Sequence, residues 1–141
     1  MRAAGSGHSF SACVPTDGTL VRLDRLDRIL DADPASGLVK VEAGITLAAL
    51  NDGLAERGLA LPNLGDIDAQ TLAGALATAT HGTGARLRNL SAQVEALELM
   101  AQRGIRPVVK LAGDGPLRDR ISSSIATGCR CTPRPTAGSR P

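Results

Sequence analysis

The sequence predicts an α+β fold, and three observations lead to this prediction. Residues 1–61 alternate short apolar segments with turns, residues 62–90 are rich in Gly, Ala and Thr, and residues 105–141 resemble neither region. A chain of 141 residues, of which 43% are hydrophobic, is long enough to bury the core of one domain. We therefore expect one folded domain over residues 1–104, followed by an irregular or disordered tail over residues 105–141.

The first region predicts three extended segments over residues 19–23, 26–33 and 38–43. Between the last two, Pro34 and Gly37 are typical of a tight turn, with the glycine in the left-handed conformation. Alternation in the third segment places one set of residues on an apolar face and another on a polar face; these are Val39, Val41 and Ala43, against Lys40 and Glu42.

Two helices are predicted next. The first covers residues 47–57, with Thr46 as its N-cap, Gly58 after its end, and leucines at helical spacing at 47, 50 and 54. The second covers residues 71–80 and consists almost entirely of small side chains. So little bulk means that another group must approach the backbone of this helix closely, either a neighbouring helix or a flat ligand.

The remaining segments follow in order. Residues 81–84 form a loop, and residues 91–101 form a strand that ends at Arg103 and Gly104. In the tail, residues 117–125 are at best a marginal helix, and residues 129–141 are expected to be disordered.

Composition argues against nucleic-acid binding. The chain has one Phe and no Tyr or Trp, so the aromatic platforms on which single-stranded nucleic acids stack are missing. Its arginines are spread among Asp and Glu instead of clustering. We therefore expect no nucleic-acid partner.

Cysteine and histidine usage predicts neither disulfides nor a metal site. The cysteines are a lone Cys13 and a C-x-C pair at 129 and 131, and an odd number without a secretion leader indicates reduced thiols in the cytoplasm. With His8 and His81 they lack the spacing of zinc ligands. No segment reaches the roughly 20 apolar residues that a membrane-spanning helix needs.

The segment over residues 2–9 is a short extended piece that enters a glycine-rich turn. Gly5 and Gly7 allow backbone N–H groups to converge on an anion, and the hydroxyls of Ser6 and Ser9 can add hydrogen bonds. The turn lacks the third glycine of a Rossmann fingerprint and the lysine of a P-loop. On its own, G-x-G is also compatible with an ordinary tight turn.

Five motifs together are far more specific than this turn. They are GSGHS (5–9), TDG (16–18), VEAG (41–44), NLGDIDAQTLAGA (63–75) and THGTG (80–84). Their order and separation over residues 2–104 resemble the PCMH-type FAD-binding domain of the vanillyl-alcohol oxidase superfamily, and within it the L-gulonolactone, D-arabinono-1,4-lactone and alditol oxidases. The resemblance implies a partial FAD-binding domain of mixed sheets with flanking helices over residues 1–104. It also implies an oxidoreductase that acts on the CH–OH group of sugar lactones or alditols, with oxygen or another electron acceptor.

The resemblance also implies residues that bind FAD. The turn that wraps the pyrophosphate corresponds to Ala3, Ala4, Gly5, Ser6, Gly7, His8 and Ser9. Asp66 and Thr71 lie in the stretch that lines the flavin ring. The small-residue helix along the cofactor corresponds to Gly74, Ala75, Leu76 and Ala77.

The resemblance suggests specific roles for His8, His81 and Gly65. His8 matches a histidine that many members bond covalently to the 8α-methyl group of the flavin; the alternative is a turn histidine that hydrogen-bonds its own loop. His81 either contacts the cofactor or caps the second helix. Gly65 matches a position near the reactive face of the flavin, where a missing side chain leaves room for dioxygen.

Family members are much longer than this chain and carry a separate substrate domain, so we expect a truncated or frameshifted gene product. Such a chain would bind FAD weakly and turn over little or no substrate, because nothing would position the sugar lactone or polyol. The alternatives are a catalytically inactive flavin-binding or pseudogene product, and a half-enzyme completed by another chain.

Overall fold

The computed structural model describes residues 1–10, 12–101, 104–110 and 124–133. The predicted α+β class is confirmed. Within these ranges, a 3₁₀ turn covers Leu90–Gln93 and two helices are formed, α1 (Leu47–Ala55) and α2 (Leu72–Ala77). The strands are β1 (Arg2–Ala4), β2 (Leu20–Arg22), β3 (Ile29–Asp33), β4 (Leu38–Glu42), β5 (Leu59–Ala60), β6 (Val94–Ala101), β7 (Gly104–Lys110), β8 (Ser124–Arg130) and β9 (Thr132–Pro133).

The strands form one larger sheet and two pairs. The five-stranded sheet has the order β3-β4-β8-β6-β7, and all its neighbours are antiparallel. β1 and β2 form a separate parallel pair, in which Arg2 lies opposite Leu20 and Ala4 opposite Arg22. β5 pairs with β9.

The turn before β4 and the leucines of α1 agree with the sequence prediction. Gly37 has a φ of +69°, and its N–H donates to the carbonyl of Asp33 at 2.8 Å. The predicted apolar face of β4 and the three leucines of α1 are buried in one core; they are Val39, Val41, Ala43, Leu47, Leu50 and Leu54. Local periodicity therefore identified the centre of the core.

Glu42 differs from the prediction, because it is only 4% exposed although it alternates with the apolar face. Its carboxylate accepts hydrogen bonds from the backbone N–H of Arg28 at 2.9 Å and from Nη2 of the same residue at 2.8 Å. These bonds, led by the one from the Arg28 side chain, lower the pKa of Glu42. The ion pair satisfies a carboxylate that would otherwise be costly to bury.

The start of α1 is tied to the loop that precedes α2. Thr46 accepts a hydrogen bond from the N–H of Ala49 at 3.2 Å, as predicted for its N-cap. The N–H of Leu47 donates to the carbonyl of Gln70 at 2.9 Å, and that of Ala48 donates to Asp68 at 2.9 Å. Neighbouring backbone therefore satisfies groups that are unpaired at most helix starts.

The tail differs from the predicted irregular segment where it is described. Residues 104–110 and 124–130 are strands β7 and β8, and β8 lies between β4 and β6, with Gly128 opposite both Lys40 and Ala96. The Nζ of Lys40 and a carboxylate oxygen of Glu98 are 2.5 Å apart, which joins β4 to β6 across β8. Most of the helix considered over residues 117–125 and the last part of the tail lie outside the described residues.

In the described ranges, no helix combines the length and hydropathy needed to cross a membrane.

Candidate functional site

A large hollow lies between the β1–β2 pair, the glycine turn and one face of α2. This main cleft has a volume of about 810 Å³, within the usual size range of small-molecule sites. Apolar side chains that line it include Val14, Val21, Leu23 and Leu26. The predicted site residues that line it are Ala3, Ala4, Gly5, Ser6, Gly7, His8, Ser9, Thr71, Gly74 and Ala77.

Gly5 packs directly against the start of α2. A Cβ atom at this position would lie 2.5 Å from Oγ1 of Thr71, closer than atoms can pack. Oγ1 of Thr71 in turn accepts a hydrogen bond from the N–H of Gly74 at 3.2 Å. The absence of a side chain at Gly5 therefore lets the turn approach the capped end of the small-residue helix.

The first backbone N–H groups of α2 are already used by the protein. The N–H of Leu72 donates to the carbonyl of Ile45 at 2.8 Å, and that of Ala73 donates to Ala43 at 2.9 Å. With Gly74 bonded to Thr71, the first three amides of the helix have partners. The start of α2 therefore offers no free amides to an anion.

The glycine turn has the opposite character. Within the described residues, the backbone N–H groups of Ser6, Gly7 and His8 donate to no protein acceptor. Gly7 has a φ of +76°, a conformation that helps successive amides to point to the same side. The turn can therefore supply hydrogen bonds to an anionic ligand.

The charges at the main cleft favour the same kind of ligand. Arg2 and Arg22 line the cleft, and none of its described lining residues is Asp or Glu. Arg22 is paired with Asp24 outside the lining, with 2.6 Å between Nε and the carboxylate oxygen. This ion pair raises the pKa of Arg22, first through the hydrogen bond to Asp24.

A smaller hollow of about 290 Å³, the side recess, adjoins the main cleft. His8, Gln70 and Thr78 line both hollows. The remaining lining of the side recess is Gly65, Asp66, Ile67, Ala79, Thr80 and His81. Because the two hollows share these three lining residues, an elongated ligand can extend from one hollow into the other.

Two of the predicted histidine roles can be compared with this geometry. Among the described residues, no hydrogen bond holds the ring of His8, so the alternative of a bond to its own loop is not realised there. Nδ1 of His81 lies 2.9 Å from the carbonyl oxygen of Gly82, so His81 bonds its own loop and not the end of α2.

Two residues predicted to lie along the cofactor are on the other side of α2. Ala75 is completely buried in the core, and Leu76 packs against the same core. Successive helical residues are rotated by about 100°, so positions 73, 74 and 77 share the cleft face while 72, 75 and 76 face the core. The smallness of Ala75 therefore concerns the packing of the core.

The sequence prediction also missed lining residues. Arg2, Gln70 and Thr78 contribute polar groups to the hollows. Gln70 lies within the motif over residues 63–75, and Arg2 lies in the segment over residues 2–9 that enters the glycine turn, so membership of those segments was the available signal. Thr78 becomes part of the site because α2 ends there.

At Gly65 the structure adds a neighbour. A Cβ atom there would lie 2.9 Å from Cγ2 of Thr80, so a larger residue meets a methyl group as well as the side recess. The hydroxyl of Thr80 is 3.3 Å from Oε1 of Gln70, which holds the threonine side chain in place.

The described residues contain no group of three or more His, Cys, Asp or Glu side chains arranged to hold a metal ion.

Comparisons with known proteins agree with this geometry. A family model described as an FAD binding domain matches residues 1–106. The L-gulono-1,4-lactone dehydrogenase of Mycobacterium tuberculosis is 49% identical over 123 residues, covering 86% of this chain and 28% of that protein. The L-gulonolactone oxidase of Scyliorhinus torazame is 41% identical over 104 residues, covering 74% of this chain and 24% of that protein.

Among solved structures, an alkyldihydroxyacetonephosphate synthase superposes with a TM-score of 0.78. The superposition covers 96% of this chain and 28% of the synthase. Because the sequence identity is only 17%, the similarity concerns the fold alone. The chain thus spans about a quarter of the length of the relatives that it matches. It belongs to the family of FAD-binding domains, of the PCMH type that sugar-lactone oxidoreductases carry, and its cofactor is FAD.

Proposed function

We propose that the glycine turn holds the pyrophosphate of FAD, that the main cleft holds its apolar portions, and that the side recess receives the flavin ring. One observation carries this proposal: Ser6, Gly7 and His8, whose backbone N–H groups have no acceptor among the described residues, line a cleft whose described lining has no carboxylate. An apolar cleft with convergent N–H donors suits a ligand that combines flat rings with two phosphates.

The proposed FAD site supports one activity for a longer protein that carries this domain: oxidation of a sugar lactone or a polyol at a CH–OH group. Bound FAD supplies the acceptor for a hydride that leaves a C–H bond next to oxygen. The residues of this chain bind the phosphates, exclude water from the apolar cleft and hold the ring in the side recess, next to the end of α2. Substrate and electron acceptor are inferred from the relatives, whose names include both dehydrogenase and oxidase.

A matched pair of glycine variants tests the binding site. Gly7 and Gly58 have φ values of +76° and +69°, and a Cβ atom at either position meets no atom within 4 Å. Alanine at either position therefore adds a similar backbone strain of about 1–2 kcal/mol, but only Gly7 lines the main cleft.

We expect Gly7→Ala to weaken FAD binding, measured by titration of flavin fluorescence, while Gly58→Ala lowers stability without changing affinity. The chain has no Trp or Tyr, so the flavin signal is free of their fluorescence. Equal FAD affinity in the two variants would refute the proposed position of the phosphates. Failure of the wild-type chain to bind FAD would refute the function.

We further propose that His8 is the point of covalent attachment to the flavin. This proposal is supported by the exposure of His8 and by its position in the lining of both hollows. After acid precipitation, flavin should remain with the wild-type protein and be released from a His8→Ala variant. Complete release from the wild type would refute the covalent bond and leave reversible binding intact.

The 141 residues alone are proposed to bind flavin without turning over a lactone. The matched relatives are about four times as long as the part of them that this chain covers. The test is whether L-gulono-1,4-lactone or related lactones reduce the bound flavin. It is done with the 141 residues alone and with the unmatched part of a relative added as a separate polypeptide. Reduction by the 141 residues alone would refute it.

A further inference from the structure

Arg2 joins the two ends of the segment that contains the glycine turn. Its Nη1 donates to the carbonyl of Cys13 at 2.6 Å, with a longer contact of 3.4 Å to the carbonyl of Ala12. Its backbone N–H donates to the carbonyl of Thr19 at 2.9 Å, at the start of the β1–β2 pair. One residue therefore anchors β1 and also closes the loop that follows the turn.

Arg2 also differs from Arg22 and Arg28 in that its charge is not paired with a carboxylate among the described residues. Arg22 and Arg28 are each paired with a carboxylate, Asp24 and Glu42. Arg2 lines the main cleft and, among the described residues, has no carboxylate partner. A guanidinium has five N–H donors, and the contacts to Ala12 and Cys13 use only Nη1. The charge and the remaining donors of Arg2 are therefore available at the cleft.

We propose that Arg2 is a positioning residue for the phosphates of the dinucleotide. Its guanidinium holds the loop carbonyls that shape the turn, and it supplies the uncompensated positive charge that the phosphates need. This inference rests on the proposed function and adds a specific residue, because the turn amides alone carry no net charge. Arginine suits both tasks, since its planar group can bond a carbonyl and a phosphate at once.

A purely structural clamp is the competing explanation, and the chain offers a matched control for it. Nη1 of Arg57 donates to the carbonyl of Gly53, also at 2.6 Å, but Arg57 lies outside both hollows. Arg57→Gln thus removes a comparable side-chain bond to backbone, together with an exposed ion pair to Glu56 at 3.6 Å, without touching the cleft.

The test measures the affinity of the full chain for FAD at several salt concentrations. We expect Arg2→Gln to weaken binding roughly tenfold or more at low salt, and by less at high salt, where charge is screened. Arg57→Gln should bind FAD with the affinity and salt dependence of the wild type. Arg2→Lys should keep the salt dependence while binding more weakly than the wild type.

A loss in Arg2→Gln that is the same at every salt concentration would overturn the proposal in favour of a structural clamp, and no loss would overturn it outright. If far-UV circular dichroism shows that Arg2→Gln does not fold, Arg2→Lys decides: wild-type affinity in that variant would overturn the role of the guanidinium. A wild-type chain that binds no FAD would refute the proposed function itself, a result distinct from all of these.

Discussion

Replacement of Gly5 by alanine tests the contact between the glycine turn and α2. The new Cβ atom would lie 2.5 Å from Oγ1 of Thr71, which is only 6% exposed. The backbone around Thr71 cannot easily retreat, because the adjacent Leu72 N–H is bonded to Ile45 at 2.8 Å. The hydroxyl must therefore rotate away and release the N–H of Gly74, which costs about 1 kcal/mol, as for other lost N-caps.

We expect Gly5→Ala to lower the free energy of unfolding by about 1–2 kcal/mol when residual packing strain is included. Gly5 is not among the glycines with a positive φ, so alanine can adopt its backbone conformation. The measurement is urea unfolding followed by far-UV circular dichroism.

A double-mutant cycle with Thr71→Ala isolates the cause. Removal of Oγ1 of Thr71 removes both the cap and the atom with which the new methyl group collides. The double variant should therefore be no less stable than Thr71→Ala alone, with a coupling energy of about 1 kcal/mol. Additive losses would refute the argument, because they would show that Gly5 is required for another reason.

Three further changes have defined outcomes. Ala79, which follows the end of α2, has a φ of +53°, so Ala79→Gly should raise the free energy of unfolding by about 0.5–1 kcal/mol; a lower urea midpoint would contradict this. Glu42→Gln should lower the free energy of unfolding by about 1–3 kcal/mol at neutral pH, because it weakens the hydrogen bonds to Arg28. Since the folded pKa of Glu42 is lowered, this stabilisation is complete above the ordinary carboxyl pKa and is lost as the pH falls through the folded value; a difference that persists unchanged in acid unfolding would refute it. Thr80→Ser removes the methyl group that a Cβ at Gly65 would meet and keeps the hydroxyl. In that background, Gly65→Ala should slow reoxidation of the reduced flavin by oxygen, and an unchanged rate would exclude Gly65 as the space for dioxygen.

The candidate site was predictable where its requirements are local. The glycine turn and the small-residue helix stand out by residue type, and both border the main cleft. The glycines predicted turn amides that could meet an anion, but the sequence did not show that these amides lack protein partners or that Arg2 bonds the carbonyl of Cys13. The pairing of each group depends on which carbonyls and carboxylates the fold brings near it.

The first helix shows what the sequence by itself determined. Leucines at helical spacing and a capping threonine act within a few residues, so α1 and its buried face follow from the order of the side chains. The turn at Gly37 is determined in the same way, since a positive φ favours glycine wherever the chain reverses.

Strand β8 shows what only the tertiary structure decided. Its sequence, SIATGCR, lacks the apolar alternation that predicts a strand, yet it occupies the middle of the sheet. Backbone hydrogen bonds to β4 and β6 on both sides stabilise it there, and these bonds do not depend on residue type. The burial of Glu42 and the division of α2 into a core face and a cleft face also depend on partners distant in the chain, which local sequence patterns do not specify.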